Sequence, residues 1–189
     1  MDFITRLPKS TKKNDAIMVV VDKLNKVVDF NLIKSNCKEI DISSIFMKEI
    51  FRLHGMPKEI ILDKDTKFSS NFWKYLFSTF ETKLLFSMTY HPQTDEQTER
   101  VNQVLEDMVR IHVMHHPKKW EDYLPLVEFS YNNGYEESLK MSPFEALYGR
   151  QCNIPISWNN PGDGITLGPD ILKEMEQQIV QIKQNLKIA

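Results

Sequence analysis

Apolar and polar positions along the chain change period several times, and the changes mark out strands and helices. Ile17 to Val21 is a short apolar, β-branched run, and Val27 to Ile33 is a second, partly alternating one. Both predict strands, joined as a hairpin through Asp22 to Lys26. From Glu39 to Leu53 the apolar residues Ile42, Ile45, Phe46, Ile50 and Leu53 fall at helical spacing, and Gly55 and Pro57 stop the helix. Glu59 to Leu62 predicts a short buried strand that ends at Asp63. Phe72, Tyr75, Leu76 and Phe80 mark a second amphipathic helix, and Lys83 to Phe86 another strand. Met88 to Glu96, with Pro92, predicts a loop. Val101, Leu105, Met108 and His112 then step by three or four, so a helix carries Glu99 on its first turn, and Pro117 ends or kinks it.

Beyond Pro117 the pattern stays helical. Trp120, Tyr123, Leu124, Val127 and Tyr131 form one apolar stripe. A short helix runs through Leu147, with Ser142 as its N-cap, Pro143 at its first position and Glu145 two residues later. Residues 151–169 are rich in Asn, Pro and Gly and predict a linker. Residues 170–189 regain helical periodicity at Ile171, Leu172, Met175, Ile179, Ile182 and Leu186. With the opening apolar run Met1-Asp2-Phe3-Ile4 counted as a strand, three strands come first, then helix, strand, helix, strand and further helices. This order predicts an α/β fold, a mixed five-stranded sheet flanked by helices. The domain organisation follows: a core over 1–150, a linker over 151–169 and a C-terminal helix over 170–189.

Composition narrows the class. At 189 residues with 41% hydrophobic and 26% charged content, the chain can bury a core of ordinary size. No run of 18 or more apolar residues exists, so no membrane span is expected, and the N-terminus lacks the pattern of a secretion signal. Cys37 and Cys152 read as reduced thiols, and the place of action as intracellular. A net charge of −2 argues against bulk attraction to nucleic acid but leaves room for a local basic patch. Lys9, Lys12 and Lys13 cluster, with Lys23 and Lys26 nearby. A solvated turn and a DNA contact explain them equally well.

The chemistry sits in three acids. Asp2 opens one apolar run, Asp63 closes another, and Glu99 follows it with 35 residues between them, positions 64–98. Carboxylates from separate elements are how proteins hold hard cations such as Mg²⁺. Two such ions can clamp the attacking and leaving oxygens of a phosphodiester displacement. His112, His115 and His116 do not make a zinc site, since no paired cysteine motif accompanies them. Trp73 and Trp120, with Phe72, Phe77 and Phe80, read as core residues rather than platforms for stacked bases.

The words around the acids carry a resemblance. They are Met1-Asp2-Phe3-Ile4-Thr5 with Leu7-Pro8; Val19-Val20-Val21-Asp22-Lys23-Leu24; Leu53-His54-Gly55-Met56-Pro57; and Phe68-Ser69-Ser70-Asn71-Phe72-Trp73. Tyr90 to Thr94, Gln97 to Gln103, and Met141-Ser142-Pro143-Phe144-Glu145-Ala146-Leu147-Tyr148-Gly149-Arg150 complete the set. In these motifs the chain resembles the catalytic core of retroviral-type integrases, in the version carried by gypsy-type LTR retrotransposons of plants. The resemblance implies an RNase H-like fold with Asp2 on the first, central strand and Asp63 at the end of its neighbour. Asp2, Asp63 and Glu99 would then be the catalytic and metal-binding triad for two ions, Mg²⁺ or Mn²⁺. Tyr90, His91, Gln93 and Thr94 would form the loop that touches DNA, with Arg100 beside them. Asn102 would orient Glu99 or contact DNA. The implied partners are DNA, both retroelement ends and target, and further copies of the chain, without a membrane. The implied activity is 3′-end processing and strand transfer, in the nucleus when active. Whole integrases carry a zinc domain before the core and a small β-domain after it, and neither motif stands in these 189 residues.

Three positions depart from the family pattern. Asp65, Glu96 and Arg6 stand where glycine is usual. Losing glycine removes easy access to positive φ, and Asp65 and Glu96 add negative charge near sites that must approach phosphates. Each exchange can arise by a single G-to-A change, as in a decaying element. A non-catalytic nucleic-acid-binding or interaction module that keeps the fold is therefore the rival reading. The words around Glu99 argue against a generic RNase H-type nuclease.

Overall fold

The computed structural model describes residues 1–62, 70–86, 103, 104, 107 and 117–152. Five strands are present among them. β1 (Asp2–Ile4), β2 (Ala16–Val21) and β3 (Val28–Ile33) form a sheet in that order, with β1 and β2 antiparallel and Asp2 opposite Val19. β4 (Glu59–Leu62) and β5 (Lys83–Phe86) pair in parallel, with Ile60 opposite Leu84. The pattern of elements predicts one mixed five-stranded sheet; among the described residues the strands form a three-stranded ladder and a two-stranded parallel one. The two ladders meet where the Met1 nitrogen donates to the Ile61 carbonyl at 2.7 Å. That bond brings the residue before β1 against β4.

Local chemistry accounts for the turns. Between β2 and β3, the Asp22 N–H donates to the Val27 carbonyl at 2.9 Å, while the Asp22 carboxylate accepts from Leu24 N–H at 2.7 Å and Asn25 N–H at 3.3 Å. An aspartate that captures the next backbone donors in this way is a strong turn former. β4 and β5 are joined by α3, introduced below, in the crossover that parallel strands require.

The first helical stretch is interrupted. α1 (Glu39–Ile45) runs into a π-helical segment, Phe46–Phe51, and then into α2 (Arg52–His54), which stops at Gly55 with φ +75°. Periodicity predicts one regular helix with Leu53 on its apolar face. Ile42, Phe46 and Ile50 are indeed buried, but Leu53 is 56% exposed. The π turn takes an extra residue, so the face shifts and Leu53 swings outward.

α3 (Asn71–Thr79) shows a similar rotation. Tyr75 and Phe80 are expected on its buried face, yet they are 75% and 40% exposed, while Trp73 and Phe77 are fully buried, as their reading as core residues predicts. The reason is aromatic packing. Trp73 stacks on Phe77 at 5.4 Å, and Phe46 meets Trp73 and Phe77 edge-on at 6.5 and 5.7 Å. Phe46, Trp73 and Phe77 belong to one apolar cluster with Phe3, Met18, Ile33, Ile42 and Leu62. Phe80 is a satellite that touches Phe51 at 5.9 Å.

The chain falls into two compact units. One holds residues 1–21 and 29–122, and within the described residues the other holds 22–28 and 123–152. α4 (Trp120–Asn132) buries Trp120, Leu124 and Val127, the stripe its periodicity predicts. In the second unit the Asn132 side chain imitates a strand partner. Its Oδ1 accepts from Val28 N–H and its Nδ2 donates to the Val28 carbonyl, both at 2.9 Å. α5 (Pro143–Tyr148) follows the predicted cap: Ser142 Oγ accepts from Glu145 N–H at 3.1 Å, and Gly149 closes the helix at φ +69°. Cys37 and Cys152 are not joined in a disulfide.

Candidate active site

β1 exists because Phe3 and Ile4 are buried on opposite faces while Asp2 stays half-buried at the strand's start. The Asp2 carboxylate is oriented locally: its Oδ1 accepts from the Phe3 N–H at 2.7 Å. The Met1 to Ile61 hydrogen bond sets this strand against the last residues of β4, Ile61 and Leu62. Sequence reading takes Asp63 as the next position of the site. Asp63 and Glu99 lie outside the described residues, as do Tyr90, His91, Gln93, Thr94, Arg100 and Asn102, and likewise Asp65 and Glu96. Of the helix predicted to carry Glu99, Gln103, Val104 and Asp107 are described, and they are helical. Among the described residues no group of three His, Cys, Asp or Glu side chains could hold a metal ion.

Arg6, two residues past β1, adopts φ +66°. This is one of the positions where the resemblance expects glycine. A side chain here costs roughly 1–2 kcal/mol relative to ordinary backbone.

The loop from Pro8 to Asn14 is fastened to the start of α4 by a device that sequence reading missed. Glu121 is 3% exposed, and its carboxylate accepts from Thr11 Oγ1 at 2.8 Å, Lys12 N–H at 3.2 Å and Asn14 Nδ2 at 3.1 Å. Beside it the buried Trp120 donates its indole N–H to the Pro8 carbonyl at 2.7 Å, and Thr11 N–H donates to the Lys118 carbonyl at 3.0 Å. Burial alone would push the Glu121 carboxyl up, but hydrogen bonds from Ser10, Thr11, Asn14 and the Lys12 backbone outweigh it and hold the group below its ordinary value. Asp15, at the loop's end, is also held low, by the Ser35 N–H at 2.6 Å and the Ser35 hydroxyl at 2.8 Å, with Lys9 contributing. The only signal for Glu121 in the sequence is an acid directly after a tryptophan on an apolar stripe. Its partners lie more than 100 positions away.

In the second unit an open cleft of about 450 Å³ is lined by residues that include Tyr135, Lys140, Met141, Glu145 and Cys152. It contains none of the predicted site residues and a single carboxylate, so it offers no site for paired cations.

No family model matches the chain. Curated relatives do. The Transposon Tf2-3 and Tf2-4 polyproteins of Schizosaccharomyces pombe are each 38% identical over 148 residues, 78% of this chain. The chain spans 11% of the length of those relatives. The similar solved structures are integrases. The HTLV-2 integrase catalytic core domain in complex with magnesium, in its trimeric form, has a TM-score of 0.56 at 15% identity, over 76% of this chain and 99% of that one. The BIV integrase catalytic core domain scores 0.57 at 16% identity, over 76% and 90%. The simian T-cell lymphotropic virus intasome in complex with the PP2A regulatory subunit B56 gamma scores 0.63 at 15% identity, over 80% and 55%.

The chain is homologous to the Tf2 retrotransposon polyproteins and has the fold of a retroviral integrase catalytic core.

Within the described residues β1 pairs with β2, β4 pairs with β5, and α3 follows β4 and precedes β5 in the chain. Among the described residues no helix is long and apolar enough to cross a membrane.

Proposed function

We propose that the chain is the catalytic core of a retroelement integrase, which processes DNA 3′ ends and joins them to target DNA by metal-dependent phosphoryl transfer. The observation that carries this reading is the hydrogen bond from Met1 to Ile61, seen in a chain homologous to retrotransposon polyproteins. It sets the strand of Asp2 beside the strand that leads to Asp63, an arrangement suited to two carboxylates serving one centre.

Asp2, Asp63 and Glu99 would hold two Mg²⁺ or Mn²⁺ ions, and the oxygen-only donor set suits hard cations. When bound, such ions supply activation of the attacking hydroxyl and charge neutralisation at the leaving 3′-oxygen. The protein's own part is positioning. Asp2 is held by the Phe3 N–H on a strand paired with β2, so its carboxylate needs little reorganisation. Tyr90, His91, Gln93, Thr94, Arg100 and Asn102 would touch DNA. Residues 1–150 would form the core, 151–169 a linker and 170–189 a helix leading onward, with several copies of the chain working together.

The test is strand transfer on a preformed branched DNA in Mg²⁺ or Mn²⁺, with Glu99→Gln and Asp63→Asn alongside and all three proteins confirmed folded. The expected outcome is activity that falls by roughly 100-fold or more in each variant, the scale of losing one transition-state stabiliser. Folded but inactive wild-type protein supports the second reading, a core that keeps the fold without the chemistry. Arg6 favours that alternative, since it holds a left-handed conformation where the family resemblance expects glycine.

A further inference from the structure

Lysines 9, 12 and 13 and lysines 118 and 119 are separated by more than 100 positions, yet the structure gathers them onto one edge of the first unit. Thr11 N–H bonds the Lys118 carbonyl, Lys12 N–H bonds Glu121, and Trp120 bonds the Pro8 carbonyl, so the loop 8–14 and the turn 117–119 lie against each other. All five lysines are exposed, and among the described residues none is ion-paired. Three acids share these segments. Glu121 is buried under its hydrogen bonds, while Asp15, bound to Ser35 at the surface and near Lys9, and Asp122 remain accessible, so the five lysines outnumber the acids beside them. A chain of net charge −2 thus carries a locally positive edge on a rigid base.

We propose that this edge is a docking surface for the phosphate backbone of duplex DNA. Two features select that partner. The first is preorganisation: three hydrogen bonds onto Glu121, from Thr11, Lys12 and Asn14, and one from Trp120 to the Pro8 carbonyl fasten the loop, so the lysines project from a fixed base, as contact with a stiff, regularly spaced polyanion favours. The second is what the edge lacks. Trp120 is buried, and no aromatic or aliphatic side chain is exposed in residues 9–14 or 118–122. Single strands are held on stacking aromatics, which this surface lacks. Anionic bilayers also attract lysines, and capture by vesicles separates them from duplex. Lysines alone read no bases; the contact fixes position without sequence preference. The inference rests on the reading of the chain as a DNA-acting core and adds a partner surface outside its acidic site.

Duplex binding by the 189-residue chain, measured without divalent metal across a salt series, tests it. Lys12→Gln/Lys118→Gln is compared with wild type and with the control Lys58→Gln/Lys74→Gln, which removes two exposed lysines of the same unit elsewhere. The expected result is a salt slope lowered by about 2 in the first variant, equal weakening across sequences, and no change in the control. An unchanged slope, an equal loss in the control, or a wild type that binds no duplex overturns the proposal. So does lysine-dependent capture by phosphatidylserine vesicles without lysine-dependent duplex binding. Failures of the two readings separate. Glu99-dependent strand transfer with an unchanged slope leaves the core reading standing and removes the patch. A lowered slope in a protein without metal-dependent joining does the reverse.

Discussion

The aromatic cluster around Phe46, Trp73 and Phe77 and the loop from Pro8 to Asn14 belong to the same unit, but opposite forces hold them. The cluster is apolar, and its energy is spread over many contacts among a dozen buried residues. The loop is polar, and its energy converges on one carboxylate and one indole N–H. A spread energy tolerates imperfect detail, as the exposed Tyr75 and Leu53 show. A converged one fails at a single atom, and it can be tuned by pH.

The largest expected effect breaks the first side of the comparison. Trp73→Ala removes the ring that stacks on Phe77 and meets Phe46, and core truncations of this kind cost about 3–5 kcal/mol. Domains of ordinary stability have about 5–15 kcal/mol to lose. Urea unfolding should therefore show most of the stability gone. A midpoint close to wild type would mean that the cluster is not the main support of this unit.

Glu121→Gln probes the other side with a smaller effect. Gln keeps the shape but turns two acceptor oxygens into one acceptor and one donor group, facing donors from Thr11, Lys12 and Asn14. The expected loss is about 1–3 kcal/mol. The pH dependence sharpens it. The folded Glu121 value is lowered, so its contribution is fully present above the ordinary glutamate value of 4.5 and is lost as pH falls through the lowered folded value. Wild type should lose more stability than Glu121→Gln across that acid window. Parallel pH curves for the two proteins would show that the carboxylate is not the anchor.

The contrast also explains what the sequence could reveal. Apolar periodicity is a local signal, so the strands Ala16–Val21, Val28–Ile33, Glu59–Leu62 and Lys83–Phe86 and the helix stripe of Trp120, Leu124 and Val127 were all legible. Ser142, Pro143 and Glu145 announced α5 because capping is chemistry within a few residues. On α3 the burial of Trp73 and Phe77 was legible, but the exposure of Tyr75 and Phe80 was not, because Phe72-Tyr75-Leu76 and Trp73-Phe77 both satisfy helical spacing. Only the neighbouring Phe46 ring decides. The π turn after Ile45 had no sequence signature either, and it moved Leu53. At the candidate site, Asp2 stood out through its motif, whereas the Met1 to Ile61 bond that joins the two ladders spans 60 positions. Glu121 and the gathering of Lys118 and Lys119 with Lys9, Lys12 and Lys13 were hidden for the same reason. Polar contacts across long separations leave no period behind.

The smallest effect runs in the opposite direction and sits where the loop begins. Arg6 holds φ +66°, a conformation glycine adopts without penalty. Arg6→Gly relieves the clash of the β-carbon with the backbone but also gives the unfolded chain more freedom to lose. Relief of roughly 1–2 kcal/mol against somewhat under 1 leaves a net gain of about 1 kcal/mol. Thermal or urea unfolding should show a modest rise in stability, with no change in the pH dependence contributed by Glu121. A loss of stability instead would mean that the Arg6 side chain makes contacts worth more than its backbone strain. Arginine would then be a fitted residue at this position rather than the mark of a lost glycine. That outcome would remove the one structural observation favouring a decayed core.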